Sequence, residues 1–144
     1  DLRRLTGELH LNDRVFFLGV RSDVEHIHQF TDIFIGPSLW QEAFGLANIE
    51  AMSCALPVIS TRVGAIPEVV EDGVTGILVE PGNVEALAAA MRKLDDDPAL
   101  RQKMGDAGRK RVESLFTLDR QVEQSVEVFL DVLNSDRGGR RESR

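Results

Sequence analysis

The chain has 144 residues, of which 42% are hydrophobic and 28% are charged, a balance typical of one soluble globular domain with its own core. Its formal net charge of -7 argues against binding to nucleic acid, because proteins that bind phosphate backbones carry a basic patch or stripe. Its single cysteine, Cys54, excludes a disulfide framework, and since no signal sequence and no transmembrane run of roughly 20 apolar residues occurs, we expect a cytoplasmic protein.

The first half of the chain alternates between short apolar runs and segments of helical period. Residues 1–11 have the pattern of the end of an amphipathic helix. The apolar runs, rich in β-branched and aromatic residues, are typical of parallel strands buried on both faces. The predicted strands are residues 14–20, 32–35, 57–60 and 76–79, and the predicted helices or turns between them are residues 22–30, 44–54 and 66–70. This alternation predicts an α/β fold.

Beyond residue 79 the pattern is purely helical. Asn83 is predicted to cap a helix that packs on the sheet through Val84, Leu87, Ala88, Met91 and Leu94. Pro98 suits the first turn of a second helix, and Thr117 is predicted to cap a third helix with an apolar stripe of Val122, Val126, Phe129 and Leu133. The domain is predicted to span residues 1–134, followed by a disordered tail at residues 135–144.

The candidate site lies in the segment PSLWQEAFGLANIEAMSCALP. Glu42 follows a strand in a polar turn, and Glu50 lies in the next helix; between them are Phe44, Gly45 and Leu46. In an open parallel sheet, ligands bind beyond the carboxyl ends of the strands. A helix that begins near Phe44 would present free N–H groups and a positive dipole to a diphosphate, and Gly45 would let the backbone approach it.

The two glutamates flank this turn, so each is predicted to accept hydrogen bonds from a different hydroxyl-rich group on either side of a diphosphate. A nucleotide sugar has that layout, and both carboxylates are expected to face one common pocket. Taken alone, the pattern also allows a solvated loop residue at Glu42 and an ordinary surface residue at Glu50.

Residues 37–91 resemble, almost without a gap, the donor-binding region of the GT-B family of retaining glycosyltransferases, glycosyltransferase family 4, and the similarity extends over residues 2–133. The E-x7-E pair of that family corresponds to Glu42 and Glu50, and residues 64–68 match a second loop near the donor. The resemblance implies the Rossmann-like C-terminal half of a GT-B enzyme that lacks the first two strands of that domain.

The resemblance also implies roles for the site residues. Glu42 would contact the donor sugar and support the transition state, and Glu50 would bind the ribose. Main-chain groups at Val20 and Arg21 would lie against the base. The substrate would be a UDP- or GDP-linked sugar, transferred with retention, and neither a cofactor nor a metal is expected because the family usually neutralises the diphosphate with an Arg/Lys pair.

That basic pair is the main departure from the family pattern. It lies upstream of the residues that this sequence contains, and neither Arg21 nor Arg62 matches it. Smaller departures are Ala65, where glycine is frequent, and Asn48, where an apolar residue is usual. The N-terminal acceptor domain is also missing, so we expect the 144 residues alone to be inactive in transfer. An inert nucleotide-sugar-binding or interaction module is the alternative function.

Two other classes fit poorly. A dinucleotide-binding domain requires G-x-G-x-x-G between its first strand and helix, and this motif does not occur. A pyridoxal-phosphate-dependent phosphorylase needs a Schiff-base lysine in this half, but Lys93, Lys103 and Lys110 all fall in the late helical region.

The doubly-wound domain of the family that this sequence resembles has the strand order 3-2-1-4-5-6, and this order would leave a gap in the sheet of the present chain. The four predicted strands correspond to the third through the sixth, so two absent strands would separate residues 14–20 from residues 32–35. We expect either that residues 14–20 shift beside residues 32–35, burying Phe16, Phe17 and Phe34, or that a second copy of the chain fills the space by self-association.

Overall fold

The structure is a computed structural model that describes residues 2–139, with side chains described for residues 2–134. In this part of the chain, three strands alternate with helices before a helical C-terminal region. The elements are α1 (Leu2–Glu8), α2 (Val24–His28), β1 (Phe34–Gly36), α3 (Leu46–Ser53), β2 (Val58–Thr61), α4 (Ile66–Val69), β3 (Gly76–Val79), α5 (Val84–Asp96), α6 (Pro98–Leu115) and α7 (Leu118–Gly139).

The strands form one parallel sheet in the order β1-β2-β3. Successive side chains of a strand point to opposite faces. Val58 and Leu78 accordingly join the core beside α3 and α4, whereas Ile59 and Val79 join the core beside α5. Helix α6 contributes to both cores. The α/β fold with parallel strands is therefore confirmed; β2 and β3 are buried on both faces, whereas β1 is only half-buried.

The predicted strand at residues 14–20 is wrong. Residues 15–19 have no strand hydrogen bonds, and β1 pairs only with β2 among the described residues. Phe16 is 74% exposed, and Phe17 lies beneath the guanidinium of Arg3 rather than in the core. A strand requires a neighbour to pair with, and this segment pairs with no strand in the part of the chain that the structure describes. The expected shift beside β1 is therefore also wrong, and self-association stays a prediction.

The predicted helix starts in the second half are confirmed. The Oδ1 atom of Asn83 accepts a hydrogen bond from the Ala86 N–H at 2.9 Å, and Pro98 is the first residue of α6. The Thr117 hydroxyl accepts from the Arg120 N–H at 3.3 Å. Helix α5 packs on the sheet as expected, but chiefly through Ala90 and Leu94. Of the residues predicted for that face, Val84 and Met91 are exposed, so the contact face is rotated towards Ala90.

Helix α7 continues past the predicted domain end at residue 134 and ends at Gly139. Ser-Asp-Arg after Asn134 is compatible with a helix, and the Gly-Gly pair, which has low helix propensity, forms the last two residues of α7. Its apolar stripe is exposed rather than packed; the members are Val122, Val126, Phe129 and Leu133. Residues 140–144, part of the predicted disordered tail, lie outside the described residues. Across residues 2–139, no helix combines the length and the apolar character needed to cross a membrane.

Candidate functional site

Two loops meet at the carboxyl ends of the first two strands. Residues 37–45 connect β1 to α3, and residues 62–65 connect β2 to α4. Between the first loop and the start of α3 lies a cavity of about 340 Å³, here called the first cavity. Its wall includes Gly36, Glu42, Phe44, Gly45, Leu46 and Asn48. Glu42 and the predicted turn after it therefore lie at the sheet edge where α/β proteins bind ligands.

Glu42 is held at both its side chain and its backbone. The hydroxyl of Ser38 donates a hydrogen bond to Oε1 of Glu42 at 2.8 Å. The Ala65 N–H donates to the Glu42 carbonyl at 3.1 Å. Gly64 packs so closely that an added Cβ would lie 2.1 Å from the Glu42 carbonyl oxygen, and its φ of +51° also favours glycine. The segment of residues 64–68, which matches the family's second loop near the donor, therefore fixes the loop that carries Glu42.

The N-terminus of α3 opens onto the first cavity. Gly45 precedes the helix with a left-handed φ of 80°, so the helix begins at Leu46 rather than near Phe44. An added Cβ on Gly45 would lie 2.5 Å from Cδ1 of Ile66, so a larger residue would displace the end of the Ile66 side chain in addition to adopting an unfavourable φ. No side chain of the described residues caps this end of α3, and the first N–H groups of a helix have no intrahelical acceptor.

Glu50 does not share the cavity of Glu42. It is exposed and lines a second cavity of about 320 Å³ together with Arg21, His28, Ser53 and Cys54. The expectation of one common pocket is therefore wrong. The physical reason is that Glu42 precedes the left-handed Gly45, whereas Glu50 lies in the second turn of α3.

The two cavities are neighbours. Phe34 lines the first cavity and His28 lines the second, and their rings meet edge to face with centroids 5.8 Å apart. Apart from Val20, the donor-site residues predicted from the sequence thus lie on two adjoining surfaces that share this aromatic contact.

Of the remaining predicted site residues, some line one of the two cavities and one does not. Phe44 and Leu46 line the first cavity, and the Phe44 ring packs edge to face against Phe116 at 5.8 Å. Val20 is fully exposed and lines neither cavity. Arg21 lines the second cavity and forms a two-point ion pair with Asp23, at 2.8 and 2.6 Å. These hydrogen bonds lower the pKa of Asp23 and raise the pKa of Arg21.

Sequence reasoning missed several polar residues of the first cavity and its supports. Ser38 contacts Glu42, Ser60 lines the cavity, and Thr61 donates a hydrogen bond to the Ser38 carbonyl at 2.6 Å. A usable signal was present, because these residues directly follow the apolar runs of two parallel strands, whose carboxyl ends meet at one edge. Gly36 leaves room for Ser60 in the same part of the cavity wall, since a Cβ added at Gly36 would lie 3.2 Å from the Ser60 hydroxyl oxygen.

Asn48 stands out in the wall of the first cavity because its side chain is buried without a full set of partners. The residue is 4% exposed, and Oδ1 accepts no hydrogen bond from the described residues. An unsatisfied buried acceptor costs free energy because folding removes it from water. This cost lies at the surface that would receive a ligand.

Replacing Asn48 with leucine is expected to raise the free energy of unfolding by about 1 kcal/mol, since the unpaired acceptor disappears and an apolar side chain takes its place. Asn83 is the matched control, because its Oδ1 atom accepts the Ala86 N–H, and Asn83→Ala should lower stability by about 1 kcal/mol. Urea denaturation followed by circular dichroism measures both changes. A loss of stability in Asn48→Leu would contradict the assignment of Oδ1 as a destabilising group.

Comparison with known proteins gives the family. Residues 1–111 match the protein family described as glycosyl transferases group 1. One curated relative, the N-acetyl-alpha-D-glucosaminyl L-malate synthase of Bacillus anthracis, is 38% identical over 137 residues, covering 95% of this chain and 36% of that protein. The chain spans about a third of the length of the curated relatives it matches.

Solved structures agree with this assignment. Sucrose-phosphate synthase from Thermosynechococcus elongatus is 33% identical, with a TM-score of 0.84 over 93% of this chain and 34% of that one. Anabaena Alr3699/HepE in complex with UDP is 28% identical, with a TM-score of 0.87 over 90% of this chain and 36% of that one. HepE in complex with UDP-glucose has a TM-score of 0.85 at the same identity and coverage.

These solved structures are GT-B glycosyltransferases, and the three-stranded parallel sheet corresponds to part of a Rossmann-like half of that fold. The family match covers more than half of the chain, and sequence and structure point to the same group of enzymes. The chain therefore belongs to the glycosyl transferases group 1 family.

Proposed function

We propose that this chain is the donor-binding part of a retaining glycosyltransferase and binds a UDP- or GDP-linked hexose. The observation that carries the proposal is the first cavity, where the Glu42 side chain and the uncapped N-terminus of α3 line one surface. A helix N-terminus attracts phosphate through free N–H groups and its dipole, and a carboxylate accepts hydrogen bonds from sugar hydroxyls. A sugar diphosphate carries both kinds of group.

Glu50 would bind the ribose from the second cavity, with the base near the backbone of Val20 and Arg21. The adjoining position of the two cavities supports this division, because one ligand has to reach both. Similar HepE structures contain UDP and UDP-glucose, which supports a nucleotide sugar as the ligand class. Glu42 would then be the catalytic residue that stabilises charge on the donor sugar.

Several further parts of the proposal rest on the family resemblance. Retention would follow if the leaving diphosphate assists attack on its own face of the sugar. Transfer would need an acceptor domain and a diphosphate-binding Arg/Lys pair, neither of which lies in the 144 residues. The expectations that the reaction needs no metal or cofactor and that the protein is cytoplasmic stay predictions.

The 144-residue chain is expected to bind UDP but not to catalyse transfer. Positioning of the acceptor and stabilisation of the leaving group supply most of a barrier reduction, and both depend on the missing parts. Isothermal titration calorimetry with UDP tests binding, and release of UDP from UDP-glucose measures turnover. Absence of binding to both UDP and GDP would contradict the proposed function, and sustained turnover by the pure chain would contradict the expected inactivity.

A further inference from the structure

A chain of hydrogen bonds leads from the central strand to the carboxylate of Glu42. Thr61, the last residue of β2, is 3% exposed, and its hydroxyl donates to the Ser38 carbonyl at 2.6 Å. The Ser38 hydroxyl in turn donates to Oε1 of Glu42 at 2.8 Å. Since β2 pairs with a strand on each side, it is the most firmly held element of the sheet. The orientation of Glu42 is thus tied to the middle of the fold.

The loop that carries Glu42 is fixed near both ends and exposed between them. At its start, the Ser60 hydroxyl donates to the Gly36 carbonyl at 2.9 Å, and Thr61 holds Ser38. At Glu42, the Ala65 N–H holds the backbone carbonyl. The side chains between these points include Leu39 and Trp40, which are 62% and 82% exposed. The backbone on either side of the Ser38 to Glu42 hydrogen bond is therefore already in place.

The side chain of Glu42 has no other polar partner among the described residues. Its carboxylate forms no ion pair, and Ser38 is the one side chain in residues 2–134 that donates to it. A glutamate side chain loses substantial rotamer entropy when it is held in one conformation. Ser38 takes up Oε1 and leaves Oε2 free to accept a hydrogen bond from a ligand.

From this arrangement we propose that Ser38 is a positioning residue that presents Oε2 of Glu42 to the donor sugar, with Thr61 holding Ser38 in place. The inference rests on the proposed function, because it names the residues that orient the sugar-binding carboxylate of that site. Ser38 acts through Glu42, so its effect on affinity should appear for a ligand that carries the sugar and disappear when the carboxylate is absent.

The test compares UDP with UDP-glucose by calorimetry in a double-mutant cycle. Ser38→Ala is expected to weaken UDP-glucose binding about three- to tenfold, the effect of one lost hydrogen bond, and to leave UDP binding unchanged. In a Glu42→Ala background, Ser38→Ala should have no further effect on UDP-glucose. Ser38→Thr, which keeps the hydroxyl, should restore most of the affinity. Ser114→Ala is the matched control, because Ser114 is an exposed serine on α6 that donates only to a backbone carbonyl.

Equal losses for UDP and UDP-glucose in Ser38→Ala, or a loss that persists without the Glu42 carboxylate, would overturn the proposal. A second measurement needs no ligand and therefore separates this inference from the proposed function. The carboxyl ¹³C resonance of Glu42 should move in Ser38→Ala and stay in place in Ser114→Ala. An unmoved resonance in Ser38→Ala would overturn the positioning role even if the wild-type chain binds nucleotide.

Discussion

Replacing Glu50 with alanine is expected to weaken UDP binding roughly ten- to a hundredfold, the effect of a lost hydrogen bond to a charged acceptor worth about 1.5–3 kcal/mol. Replacing Glu42 with alanine should weaken UDP binding less, because the ribose belongs to the nucleotide and the hexose does not. The two carboxylates line separate cavities, so each can be removed without direct disturbance of the other.

Calorimetric titration of UDP and UDP-glucose into both variants measures this division of roles. Glu85→Ala serves as the control, since Glu85 is an exposed carboxylate in the first turn of α5 and lines neither cavity. Glu42→Ala should reduce the advantage of UDP-glucose over UDP, whereas Glu50→Ala should weaken both ligands together. Equal effects of the two variants on UDP would mean that the assignment of ribose and hexose is wrong.

Gly105→Ala is expected to lower the free energy of unfolding by about 1–3 kcal/mol or more, the cost of overpacking a tightly packed site. Gly105 lies in α6 against the end of α3, where an added Cβ would lie 2.0 Å from the Ala55 carbonyl oxygen. The obstacle is backbone, which cannot rotate away as a side chain can. Helices α3 and α6 would have to move apart, and the residues of α3 that line the first cavity would be displaced.

A glycine without such a neighbour provides the control. Gly7 lies in α1, and an added Cβ would meet no atom within 4 Å. Gly7→Ala should therefore raise stability by about 0.5–1 kcal/mol through helix propensity alone. Opposite signs for the two substitutions in urea denaturation are the expected result. A neutral Gly105→Ala would show that α3 and α6 can part without cost and that their close contact does not hold the site.

The sequence predicted correctly those strands and helices whose ends are marked by turn residues, caps or first-turn prolines. The strand Gly76–Val79 was predicted with its observed bounds, because a buried apolar run is bracketed there by turn residues. Asn83, Pro98 and Thr117 marked helix starts for the same local reason, since caps and first-turn prolines act within one helical turn. The spacing of Glu42 and Glu50 around a glycine predicted one common pocket, whereas the two side chains line separate cavities.

Tertiary contacts decided what these patterns could not. Residues 14–20 have the composition of a strand, but a strand exists only where another pairs with it, and in the described sheet the segment does not pair with the edge strand β1. Whether Glu42 and Glu50 share a pocket depended on the left-handed turn at Gly45, and the hold on Glu42 depended on Ser38, Thr61 and Gly64. By itself the sequence determined the α/β order and the helix caps, because these follow from neighbours along the chain. The geometry of the site needed the folded chain, because its contacts join residues that are far apart in sequence.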